Sequence, residues 1–164
     1  IEGKVGSIID TDVSNLDNVM AVNVRGVWLG LHYVVPVMRD GGGGSIMITS
    51  SGAGVQGSPN TACYNASKHA VIGLMRCAAL EFAQFGIRVN TVNPGAVETR
   101  MMASIVDGFA EVGAGDFRAM VEAVTPLGRY GQPDEVANMM VFLGSDESSY
   151  CTGSVYMVDG GNAT

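Results

Sequence analysis

Lysine is almost missing from this chain. Of 164 residues only Lys4 and Lys68 are lysine, and the 9 basic side chains are outnumbered by 16 acidic ones, for a net charge of -7. No Lys/Arg cluster occurs anywhere, which argues against nucleic acid or an anionic membrane surface as a partner. Cysteine is scarce as well. Cys63, Cys77 and Cys151 are odd in number and too far apart for metal-knuckle spacing, so buried thiols in a reducing cytosol are expected, with no metal site. Long apolar runs are lacking: the richest, VWLGLHYVVPVM, is 12 residues long and carries a His and a Pro, short of the roughly 18 that a membrane span requires. No secretory leader pattern opens the chain. These lacks point to a cytoplasmic protein without a membrane span. An initiating methionine is lacking too, and the opening Ile1-Glu2-Gly3 leads us to expect an upstream segment.

What is present is one domain's worth of sequence, 47% hydrophobic, enough to bury a core. A long helical pattern follows DTDVSNLDNV, with Ser14 and Asp17 at capping-box spacing and Leu16, Val19, Met20, Val27, Leu31, Val34, Val35 and Met38 recurring at helical intervals. Pro36 is expected to bend its last turn. GGGGSIMITSS reads as a glycine loop feeding a strand buried on both faces, as in parallel sheets. A second helix is expected from Ala62 to Phe85, closed by Gly86, and then a strand in IRVNTVNPG. Between Ala96 and Tyr130 the pattern loosens into one or two short helices on a mobile flap. Pro133 opens a third clear helix, and SVYMVDGG closes the chain as a strand and turn. This alternation predicts an α/β fold with a doubly wound parallel sheet.

One of the two lysines stands in TACYNASKH, four residues after Tyr64. On a helix that spacing puts both side chains on one face, near the end that meets the carboxyl edge of the sheet, where open α/β sheets bind ligands. A phenol with a pKa near 10 is a poor acid or base at neutral pH. An ammonium about 5 Å away, at an effective dielectric near 20, would favour the phenolate by about 3 kcal/mol, roughly two pK units. The spacing alone is common by chance, so other residues have to support it. Ser51, where the apolar strand exits in ITSSGAG, could donate to a carbonyl oxygen over Tyr64, although a serine in a glycine-rich turn is ordinarily a turn former. Asn23, in MAVNVRGVW, falls inside the first helix, where its amide competes for backbone hydrogen bonds and a local distortion is expected. His32 and His69 are read as packing or surface residues.

In this order and spacing, NVRG, ITSSGAG, YNASK, RVNTVNPGAVETRM and VDGG resemble the classical short-chain dehydrogenases/reductases, from about Asp17 to Gly161. The resemblance implies a Rossmann-like fold and a secondary alcohol or ketone as small-molecule substrate. Its cofactor would be NAD or NADP. It also implies roles for individual residues: Tyr64 as proton donor and acceptor, Lys68 as the group that lowers the Tyr64 pKa and binds the nicotinamide ribose, and Ser51 as the residue that orients the substrate oxygen. Asn23 would hold a water that joins Lys68 to a proton relay. Pro94, Gly95 and Val97 would wall the nicotinamide, and Thr99 would add a cofactor contact.

The family's glycine-rich phosphate turn has no counterpart in these residues, nor has its adenosine-ribose reader. The chain is therefore expected to be the catalytic portion of the domain, with the N-terminal part outside it. Sugar-nucleotide epimerases and dehydratases use a similar Tyr/Lys pair but carry a long substrate domain after the last motifs, whereas only 69 residues follow Gly95. A catalytically silent, cofactor-sensing or scaffolding member is the other reading, against which stands the complete set of Asn23, Ser51, Tyr64 and Lys68. The surplus of apolar residues on the first two helices, together with the resemblance, predicts a homo-oligomer, a tetramer with twofold axes.

Overall fold

The structure is a computed structural model that describes residues 1–163. Three strands, β1 (Gly44–Thr49), β2 (Ile87–Pro94) and β3 (Val155–Val158), form a parallel sheet in the order β1-β2-β3. The register places Ile46 beside Val89 and Val92 beside Tyr156. Helices α1 (Val13–Met20) and α2 (Gly26–Asp40) precede β1, and α3 (Ala62–Phe82) joins β1 to β2. Then α4 (Arg100–Glu111), α5 (Phe117–Val124) and α6 (Pro133–Gly144) lead to β3.

Pleating divides the strand side chains between two faces. Ile48, Ile87 and Val89 pack with Leu31 and Val35 of α2 and with Val71, Ile72, Met75, Ala78 and Ala79 of α3, forming the main core. On the other face, Met47 approaches Gly144 of α6, and the Arg88 guanidinium donates to the carbonyls of Leu143 at 2.9 Å and Ser145 at 3.2 Å. Arg88 thus satisfies carbonyl groups that the end of a helix leaves unpaired. At the start of α6, Glu135 accepts from the Gln132 N–H at 2.7 Å and pairs with Arg129, which holds its carboxyl down to about 2.

Several expectations are corrected. The first helix is capped by Asp12, whose carboxylate accepts from the Ser14 N–H at 2.8 Å, rather than by a box on Ser14; a charged acceptor suits the positive end of the helix dipole. The helix continues through Pro36 to Asp40, with Pro36 and His32 on the solvent side, where water can take the carbonyl the ring leaves unbonded. The cysteines are not buried thiols: Cys63 and Cys151 are half-buried, and Cys77 is exposed because it points off the sheet-facing side of α3. The distortion at Asn23 is present, as a π-helical segment over Ala21–Arg25 between α1 and α2. Past α3, a 3₁₀ turn runs over Ala83–Phe85 and ends at Gly86 with φ 70, a left-handed cap that glycine adopts without strain. β1 pairs only with β2, so its other edge has no strand partner among the described residues. No helix among them is long and apolar enough to cross a membrane.

Candidate active site

Where β1 ends, the chain makes a 3₁₀ turn over Gly52–Gly54, and Ser51 caps it by accepting from the Ala53 N–H at 3.2 Å. The turn lies hard against α3. A Cβ on Gly54 would come within 2.5 Å of the Ser50 hydroxyl and 2.9 Å of the Lys68 carbonyl, so only glycine permits this approach. Ser50 donates to that same carbonyl at 3.0 Å. Asn93, fully buried in β2, donates to the Ser51 carbonyl at 2.8 Å. Ser51 is therefore held from both sides, with its side chain toward Tyr64 in the first turn of α3.

Ser51 and Tyr64 line the same cleft, and Lys68 Nζ lies 5.4 Å from the Tyr64 ring centre. The expectation that Lys68 lowers the phenol pKa is not met in this structure. Burial pushes the Tyr64 phenol up, the Ser51 hydrogen bond pulls it partly back, and the Glu2 carboxylate pushes it up further. The Lys68 ammonium donates to the Thr49 carbonyl at 3.1 Å, and burial lowers its own pKa. Desolvation is the largest cause of the Tyr64 shift, and the Lys68 ammonium lies over the ring.

Asn23 reaches the site indirectly. Its amide donates to the Ile1 carbonyl at 2.8 Å and to Ser67 Oγ at 3.0 Å, while its oxygen accepts from the Ile1 nitrogen at 2.7 Å. Ser67, fully buried, in turn donates to the Tyr64 carbonyl at 2.7 Å. Asn23, Ser67 and Tyr64 thus form one buried hydrogen-bonded line. Among the described residues no hydrogen bond joins Asn23 to Lys68.

The segment after β2 packs closely on the end of β3. Gly95 donates to the Val158 carbonyl at 3.0 Å, and a Cβ there would meet Asp159 at 2.8 Å. Pro94 and Gly95 border the same cleft as Tyr64. Val97 is buried and bridges to Gly131. Thr99 caps α4: its hydroxyl accepts from the Met102 N–H and donates to the Val97 carbonyl, both at 3.2 Å. Its visible work is structural.

Ser51 and Tyr64 form the polar end of a cleft of ≈ 280 Å³ whose far wall comes from α4 and α5. Met102 and Met120 line it, whereas Met101 does not. His69 Nδ1 lies 2.9 Å from the Asn65 carbonyl and His32 stacks on Trp28, so both histidines stand apart from the cleft. Among the described residues no group of three His, Cys, Asp or Glu is placed to hold a metal. Asn93, Ser67 and Asn65 escaped the sequence reading. A polar residue inside the continuously buried strand TVNP was the signal for Asn93. Ser67, inside YNASK, gave none beyond its place between Tyr64 and Lys68.

With this geometry in view, comparison with known proteins is decisive. The profile of the family described as "Enoyl-(Acyl carrier protein) reductase" matches residues 1–163. The chain belongs to the short-chain dehydrogenases/reductases. Cyclohexanol dehydrogenase of Acinetobacter sp. (strain SE19) is 41% identical over 160 residues, covering 98% of this chain and 59% of its own length. Levodione reductase of Leifsonia aquatica is 36% identical over 99% of this chain and 61% of its own. A crystal structure of levodione reductase superposes with a TM-score of 0.95, covering 99% of this chain and 63% of that one. A structure of ElxO with NADP bound gives a TM-score of 0.87 at 29% identity, covering 99% of this chain and 63% of that one. This member of the family thus spans about three fifths of the length of these relatives.

Proposed function

We propose that this chain is the catalytic portion of an oxidoreductase that interconverts a secondary alcohol and a ketone with NAD or NADP, with Tyr64 as general acid and base. The observation that carries this reading is that Ser51 and Tyr64 together line the polar end of an apolar cleft, with Lys68 one helical turn on. The names of the relatives, a cyclohexanol dehydrogenase and a levodione reductase, support the same reaction class.

The residues present fit the nicotinamide end of the cofactor. An ammonium has three N–H donors, and the Thr49 carbonyl takes one from Lys68, which leaves donors for ribose hydroxyls. Pro94 and Gly95 line the cleft beside Tyr64 and would flank the nicotinamide ring, and the buried Val97, two residues on, would meet the cofactor beyond that cleft. Thr99 would extend the contact through its backbone, since its hydroxyl already serves the α4 cap. When bound, the nicotinamide supplies or accepts a hydride at the carbinol carbon. In the reducing direction Tyr64 gives its phenolic proton to the substrate oxygen while Ser51 donates a hydrogen bond to the same atom, and solvent returns the proton to Tyr64. In the oxidising direction the Tyr64 phenolate removes the alcohol proton. Asn23 supports this through Ser67, which fixes the turn of α3 that carries Tyr64; its role toward an ordered water is part of the proposal.

The test is nicotinamide absorbance measured on the full-length protein with NADH, NADPH and a panel of neutral ketones. Turnover of at least one ketone is expected, and inactivity with all of them would favour the catalytically silent reading instead. We further propose a cytoplasmic homotetramer. Tyr33, Val34 and Val37 leave an apolar face of α2 exposed, Val37 by 72%, more than an isolated subunit needs. Light scattering of the full-length protein is expected to give four times the subunit mass.

A further inference from the structure

Among the described residues, none that lines the cleft beside Tyr64 is charged. Its polar members are largely committed to one another: Thr61 donates to Asn65 Oδ1 at 3.0 Å, Asn65 donates to the Gln56 carbonyl at 2.9 Å, and Gln56 donates to Asn162 at 3.1 Å. Ser58 lies exposed at the rim, so the Ser51 and Tyr64 hydroxyls are the pair at the inner end of the cleft that can meet a ligand. The opposite wall is apolar. Phe109, buried, and Phe117 stack at 4.0 Å with their planes 5° apart, so α4 and α5 together present an aromatic slab flanked by Met102 and Met120. The carboxylate that acts on Tyr64 is Glu2, and the chain as a whole carries -7. An anionic substrate would therefore bury its charge without a partner and against a negative field.

Building on the reading of Tyr64 as acid and base, we propose that the substrate is an uncharged, apolar cyclic ketone or alcohol held through a single oxygen. Phe117 and Met120 of α5 set the selection against anionic analogues. The flat face of the Phe pair suits a ring, and the one polar end suits one oxygen.

The experiment is an NMR titration of cofactor-loaded full-length protein with cyclohexanone and, separately, with 4-oxocyclohexanecarboxylate, which differs by one carboxylate. The neutral ketone is expected to bind at least about 100-fold more tightly. Met120→Lys, which offers the carboxylate a partner at the cleft wall, is expected to narrow that ratio by about tenfold. Binding of the two ketones within about threefold of each other, or no measurable binding of the neutral one, overturns the proposal. Repeating the titration with Tyr64→Phe separates the two readings. A variant that keeps the preference for the neutral ketone yet still turns it over defeats the acid/base role alone. A variant that is inactive but binds both ketones alike defeats the substrate proposal alone.

Discussion

The two walls of the cleft are built on different principles. The corner where β1, β2 and α3 meet is rich in buried polar side chains, and Asn23, Ser50, Asn65 and Ser67 are all buried there with hydrogen-bond partners. The flap made by α4 and α5 buries only Phe109 within its helices, and leaves Met120 51% and Val124 62% exposed. Buried, satisfied polar networks hold their members in one arrangement, whereas a lightly packed flap can adjust. On the proposed reading, the atoms that would move a proton are fixed by the rigid wall, while those that would choose the substrate belong to the adaptable one.

The largest expected effect pits one methionine against another. Met75, fully buried in α3, is expected to cost about 2–5 kcal/mol of stability when changed to Ala. Met120→Ala in the flap is expected to stay within about 0.5 kcal/mol. Urea unfolding of the full-length variants checks both, and similar losses would break the contrast. Asn23→Ala comes next. It removes three hydrogen bonds and leaves the Ile1 backbone and Ser67 short of partners, for an expected loss of about 1–3 kcal/mol, read from the same titrations.

On the flap, Arg118 ties α5 down. It pairs with Glu98, between Val97 and Thr99, pairs with Glu122 at 3.0 Å, and lies 4.5 Å from the Tyr130 ring centre. Arg118→Ala is expected to raise KM for the ketone about fivefold with kcat nearly unchanged, because it frees the selecting wall and not the reacting one. A fall in kcat with constant KM would place Arg118 with the chemistry instead. The smallest effect is in pH dependence. Burial raises the folded Tyr64 pKa above 10.0, so the folded state binds more protons there than the unfolded state. That contribution is complete below the unfolded pKa and is lost as pH rises through the folded one. Tyr64→Phe is expected to flatten the decline in unfolding midpoint as pH rises above 10.0.

The rigid wall was the more legible in sequence. The continuous apolar run in IMIT and the β-branched run in IRVNTVNP pointed to two strands of the sheet, and the repeat through Val71, Ala78 and Phe82 gave α3 to within its last turn. Tyr64, Lys68 and Ser51 could be found because each belongs to a short motif with a mechanical reason for its spacing. What holds them could not. The bonds from Asn93 to Ser51 and from Asn23 to Ser67 join residues 42 and 44 positions apart, a distance local pattern does not reach. The direction of the Tyr64 shift was missed for the same reason: spacing locates the ammonium, but burial is a property of the whole fold. In the flap, the loose pattern left one or two helices open and could not show the stacking of Phe109 on Phe117, which needs the turn between α4 and α5 to bring them together.

The central claim is that Tyr64 carries the proton, and steady-state kinetics of Tyr64→Phe in the full-length protein tests it most directly. The change removes one hydroxyl from a ring held by α3, so cofactor affinity should stay within about threefold of wild type while kcat falls by about 100-fold or more. A variant that binds cofactor normally yet keeps more than about a tenth of the wild-type kcat, a barrier change under about 1.4 kcal/mol, would contradict the account.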